Sequence, residues 1–89
     1  MNNELSGLMT KKEKYEQDLN YVGKFLQISR NELNLSIEDV VLITQVPAKW
    51  IEMAENGQDI PRFARDILVT FFDYVVSYNH LVAHKNNAA

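Results

Sequence analysis

Cysteine is absent from this 89-residue chain, and glycine and proline are scarce, at three and two. The first absence excludes disulfides and cysteine-based zinc sites, so helix packing must carry stability. With 89 residues there is material for one modest core and not for two. No apolar run is long: the richest, from Ile67 to Val76, is interrupted by Thr70 and Asp73 and falls far short of a membrane span. The opening Met1-Asn2-Asn3-Glu4 has neither the basic stretch nor the apolar run of a signal peptide. A soluble, cytoplasmic protein that needs no membrane is the expectation. No internal repeat, low-complexity tract or linker divides the chain.

Cationic excess is lacking too. The net charge is −3, and its distribution says more than its total. Residues 1–35 balance five cations against five acids. Residues 36–60 set Lys49 against Glu38, Asp39, Glu52, Glu55 and Asp59, a balance of −4. Residues 61–89 carry Arg62, Arg65 and Lys85 against Asp66 and Asp73, a balance of +1. Affinity for nucleic acid rests largely on neutralising phosphates with Lys and Arg. The middle third is therefore poorly charged for that task.

What is present is helical periodicity. Residues 1–10 are polar, contain Gly7 and read as a loose arm. From Lys11 to Leu33, apolar or small residues recur at Tyr15, Leu19, Val22, Leu26, Ser29 and Leu33, widened by Tyr21, Phe25 and Ile28. That spacing predicts a long amphipathic helix with a broad buried face. Gly23 inside it costs about 1 kcal/mol relative to Ala, which close approach of another helix backbone would explain. Ser36 followed three residues later by Asp39 predicts a capped short helix ending near Thr44. Thr44-Gln45-Val46 then forms a turn in which Gln45 is a candidate for the left-handed conformation. Pro47 suits the start of the next helix, from which Ile51 and Ala54 point to the core. Gly57 supplies its left-handed stop, and Asp59-Ile60-Pro61 opens the last helix.

That last helix has two apolar stripes. One is Phe63, Ile67, Phe71, Tyr74, Tyr78 and Leu81; the other is Ala64, Leu68, Phe72, Val75 and Val82. A helix apolar on two sides must bury two sides. One side covers the core, and the other is expected to make a homodimer through Tyr74, Tyr78, Leu81 and Val82. Residues 85–89 are expected to fray.

Over roughly Val22 to Phe72 the chain resembles the phage repressor/Cro family of helix-turn-helix proteins. The resemblance rests on Gly23, Leu26, Arg30, Leu35, Ser36, Val40, Val46, Ile51, Glu55 and Gly57, aligned without gaps, and on Pro61-Arg62-Phe63. It implies an all-α, lambda-repressor-like bundle of four or five helices, here with an elongated C-terminal helix. It also implies an ion pair between Arg30 and Glu55 tying the first helix to the reading helix. Ala48, Lys49, Glu52 and Met53 would face base edges of double-stranded DNA, with Ile37 at the groove. Asn56 and Arg62 would lie near phosphates, and Trp50 against the sugar-phosphate backbone. Lys49 is the strongest reader among them, because Ala48, Met53 and Ile37 offer only apolar contact. Val41 and Gln45 depart from the family's usual small residues in the turn.

The same segment is similar to the cytoplasmic helix-turn-helix of the RodZ family, through Leu35-Ser36-Ile37-Glu38-Asp39-Val40, Thr44, Pro47 and Trp50-Ile51-Glu52. That likeness implies a protein-binding use of the motif, for which Trp50, Met53 and Ile37 are the candidate apolar contact. Two functions therefore stay open: a small DNA-binding regulator of phage or bacterial repressor type, acting as a dimer, and a protein-interaction module such as an adaptor, antirepressor or antitoxin-like binder. Trp50 has a plainer use as a lid over the turn against Ile37 and Val46.

Catalysis finds little material. There is no nucleophile beside a base, no glycine-rich phosphate cradle and no paired carboxylates in an apolar setting. His80 and His84 share one helical face, but two imidazoles leave a metal site incomplete, so no metal and no cofactor are expected. Lys11, Lys12 and Lys14 alternate with Glu13 and Glu16 and read as a solvated face rather than a phosphate patch.

Overall fold

The computed structural model describes residues 11–88, with side chains over 16–83. The expected N-terminal arm and the side chains of Lys11, Lys12, Lys14 and His84 lie outside that description. The fold is all-α. Among the described residues there are four helices: α1 (Lys11–Glu32), α2 (Ile37–Thr44), α3 (Ala48–Glu55) and α4 (Arg62–Ala88). None is long and apolar enough to cross a membrane.

Local chemistry sets each boundary. Helix α1 ends where Asn34 turns left-handed at φ 57°, the Leu35 N–H reaching back to the Arg30 carbonyl and the Asn34 N–H to that of Asn31. That closes two orphan carbonyls of the last turn. Ser36 caps α2: its hydroxyl accepts from the Asp39 N–H, and the Asp39 carboxylate accepts from the Ser36 N–H. Helix α3 closes like α1, with Gly57 at φ 77° and the Gln58 N–H bonded to the Met53 carbonyl. Pro61 directly precedes α4, and no Gly or Pro follows it. The helix accordingly extends from Arg62 to Ala88.

All four helices feed one core. Leu26, Val40, Ile51, Leu68 and Phe72 are fully buried, joined by Val46, Ala54, Ile60 and Ala64. Helices α1 and α4 run in the same direction: Tyr21, Val22 and Phe25 border Val69 and Asp73, and further along His80 reaches Glu32. Of the stripe expected to widen the buried face of α1, only Phe25 packs against the core. Tyr21 is 76% exposed and Ile28 more than half exposed. The reason lies in the angular width of the stripe, since α3 and α4 together cover a narrower arc of α1 than the apolar residues span. The second stripe of α4, through Ala64, Leu68 and Phe72, is the buried one; the first is left largely in solvent.

Candidate functional site

The unit that presents side chains outward is α2, the turn Gln45–Pro47 and α3. Two devices hold it rigid. In the turn, Gln45 adopts a left-handed backbone at φ 64°, and its N–H bonds the Val41 carbonyl at 2.8 Å. Thr44 ties the same corner: its hydroxyl donates to the Val40 carbonyl at 2.7 Å and accepts from the Val46 N–H at 3.2 Å. The adjustment expected for a non-glycine turn residue is thus made by backbone rotation, with the Gln45 side chain donating to the Leu42 carbonyl.

The second device is Arg30. Its Nε donates to Glu55 at 2.7 Å and its second nitrogen to the other carboxylate oxygen at 3.0 Å. A third donation reaches the Leu35 carbonyl at 3.0 Å. The pair is mostly shielded, with 17% of the Arg30 side chain and 8% of the Glu55 side chain exposed. The hydrogen bond to Glu55 holds the guanidinium above its ordinary pKa; burial opposes this, and the charges of Glu55 and Glu38 reinforce it. A fork-to-carboxylate geometry of this kind fixes orientation as well as distance. It locks the C-terminal turn of α1 onto the last turn of α3.

Held this way, α3 buries Ile51 and Ala54 and turns Lys49, Glu52 and Asn56 to solvent. Those three positions follow helical spacing, so they form one outward ridge, with half-buried Ala48 and Met53 beside it. The ridge offers one cation, one anion and one amide, and the Asn56 amide donates back to the Glu52 carbonyl at 3.0 Å. Trp50 is half-buried and meets Phe63 edge-on, with ring centroids 5.9 Å apart. Ile37, Trp50 and Met53 are half-buried, each packing one side against the core. Arg62 is highly exposed and makes a loose 4.0 Å contact with Asp66.

The exposed apolar residues lie elsewhere. Leu42 is 74% exposed and Ile43 more than half, both in the last turn of α2. Their sequence signal is the run of four consecutive apolar residues, Val40 to Ile43, of which a short amphipathic helix can bury only one side. On α4, Tyr74, Tyr78 and Leu81 are exposed, and the two tyrosine rings stack with centroids 6.5 Å apart at 14°. Val82 lies at their edge, 37% exposed. His80 stands 3.5 Å from Glu32, both largely in solvent. Among the described residues no group of three potential ligands is placed to hold a metal ion.

Electrostatics at the start of α2 are set by acids. The Asp39 carboxyl is held below the usual carboxylate range, first by the Ser36 N–H and then by the Ser36 hydroxyl. With Glu38 exposed beside it, that helix N-terminus already carries its anionic partner. No family model, curated protein or solved structure matches the chain.

Proposed function

We propose that this chain is a small, non-catalytic DNA-binding regulator of the helix-turn-helix type, acting in the cytoplasm. One observation carries the reading: a short helix, braced from behind by Arg30–Glu55 and by the Gln45 turn, presents the ridge Lys49, Glu52 and Asn56 outward. A braced, protruding helix of this length matches the width of the major groove. Lys49 would supply the strongest base or phosphate contact, Ala48 and Met53 apolar contact to thymine methyls, and Asn56 and Arg62 contacts to the backbone.

The charge of the unit makes the affinity modest and strongly salt-dependent. Two subunits contributing Lys49 and Arg62, assisted by Lys24, give roughly four to six cationic contacts, so binding should fall roughly a hundredfold or more between 50 and 200 mM salt. Fluorescence anisotropy with a generic duplex, repeated across that salt range, tests the reading. Lys49→Ala should weaken binding, and Glu52→Lys should strengthen it. Absence of any signal at low salt sinks the proposal.

A second reading is favoured by the exposure of Leu42 and Ile43 next to the acidic start of α2. On it, the same braced unit docks a protein, and the apolar contact is made by the end of α2 rather than by Trp50. Leu42→Ser would then abolish partner capture without changing the fold.

A further inference from the structure

The outward stripe of α4 has a symmetry of its own. Phe71, Tyr74, Tyr78 and Leu81 are spaced by three, four and three residues, so the pattern reads the same in both directions about Val76. An antiparallel pairing of two such helices places Tyr74 of each chain opposite Tyr78 of the other, and Phe71 opposite Leu81. We infer that the outer face of α4 is a two-fold interface with a second copy of this chain, centred at Val76.

Three observations select this occupant. The first is area. Tyr74, Tyr78 and Leu81 are each more than half exposed and Ile67 is 41% exposed. With Thr70, Ser77 and the visible part of Phe71, roughly 600–700 Å² per chain is available, which reaches the lower end of a stable interface. The second is shape. A groove of ≈ 440 Å³ follows the helix past Thr70, Asp73, Tyr74, Ser77, Tyr78 and Leu81, with the two tyrosine rings stacked along it. The third is coverage, and it fixes the register. Ile67, Phe71, Tyr74 and Tyr78 are also palindromic, about a point half-way along Phe72–Asp73. Pairing there would set the exposed Leu81 opposite Ala64, which is fully buried. Centring at Val76 sets Leu81 opposite Phe71 and keeps the stripe from Phe71 to Leu81 in contact. The inference stands whether or not α3 reads DNA.

The chain's lack of cysteine makes the register directly testable. Tyr74→Cys and Tyr78→Cys proteins, mixed under mild oxidation, should form the 74–78 cross-link in preference to 74–74 or 78–78. Sedimentation equilibrium of the unaltered chain should give twice the 10.3 kDa protomer mass. Leu81→Glu, at an exposed position, should weaken association roughly thirtyfold or more while leaving the melting temperature of the protomer unchanged. A monomer at 0.5 mM (about the highest workable concentration), or cross-links with no preference for 74–78, would overturn the assignment.

Discussion

Gly23 and Ala54 meet backbone to backbone: a Cβ on Gly23 would stand 2.6 Å from the Ala54 carbonyl oxygen. The Glu55 carbonyl and the Gly57 N–H group are almost as near, at 3.0 and 3.1 Å from that point. None of these atoms belongs to a flexible side chain, so none can swing aside. Helix α1 is therefore seated against the end of α3 by the absence of one methyl group. This contact and the Arg30–Glu55 pair, two turns along α1, are the two points that set the angle of the outward helix.

Gly23→Ala should consequently destabilise the protein, although Ala is the better helix former. Propensity favours the variant by about 1 kcal/mol. Forcing two helix backbones apart costs about 1–3 kcal/mol, and a fixed carbonyl at 2.6 Å lies at the upper end. Thermal unfolding should show a drop of several degrees, at roughly 4–8 °C per kcal/mol for a domain of this size. A variant as stable as the parent would mean that α1 and α3 do not pack this closely.

Arg30→Ala should cost more, about 3–5 kcal/mol, because it leaves the shielded Glu55 carboxylate without a partner. Total stability of a small domain is roughly 5–15 kcal/mol, so this one change consumes a large share of it. The paired replacement Arg30→Met with Glu55→Met should recover most of the loss, since shielded ion pairs contribute less than their rupture costs. Urea titrations of the three proteins decide the matter. Equal losses in the single and double variants would mean that shape, rather than the unpaired charge, dominates.

The capping pair at the start of α2 predicts a pH dependence of known sign. The folded state holds the Asp39 carboxyl below its ordinary value, so the folded protein binds that proton less readily than the unfolded chain. By linkage, the stabilisation is fully present above the unfolded value near 3.9 and is lost as pH falls from there through the lowered one. Asp39→Asn should flatten the stability curve in that acidic window and leave its shape above about pH 6 unchanged. Ser36→Ala should lower stability by about 0.5–2 kcal/mol at neutral pH and shrink the acidic slope only in part, since the Ser36 N–H that acts first on Asp39 is kept. Melting curves from pH 2.5 to 7 check both; an unaltered slope in both variants rejects the assignment.

Much of this architecture is legible in the chain because its breakers are few and unambiguous. Ser36 with Asp39, Pro47, Gly57 and Pro61 each admit one structural use, and each sits where that use requires. The left-handed turn at Asn34 is less legible, since it depends on the two backbone bonds that close α1. The harder question was which apolar residues are covered. Periodicity locates a face but not its width, so it does not separate the exposed Tyr21 and Ile28 from the buried Leu26, nor the exposed Leu42 and Ile43 from the buried Val40. Trp50 illustrates the same limit: its half-burial depends on Phe63, thirteen positions on, whose nearness only the packing of α4 against α3 establishes.

The two-fold inferred at Val76 and the proposed reading of DNA meet in one distance. Trp50 of the outward helix packs on Phe63, so Phe63 marks where α3 lies along α4. In an antiparallel pair centred at Val76, the two Phe63 positions are separated by the rise of twenty-six residues, roughly 39 Å. Half-sites one helical turn apart on B-DNA are separated by about 34–36 Å. The match predicts that in vitro selection from random duplexes recovers inverted repeats with half-sites about 10–10.5 base pairs apart, centre to centre. Leu81→Glu should then reduce affinity for the paired site towards that for a single half-site, with Lys49 still required. Recovery of isolated or directly repeated half-sites would separate the dimer from the reading of DNA. A protein that dimerises through α4 yet selects no duplex would leave its braced helix to a protein partner.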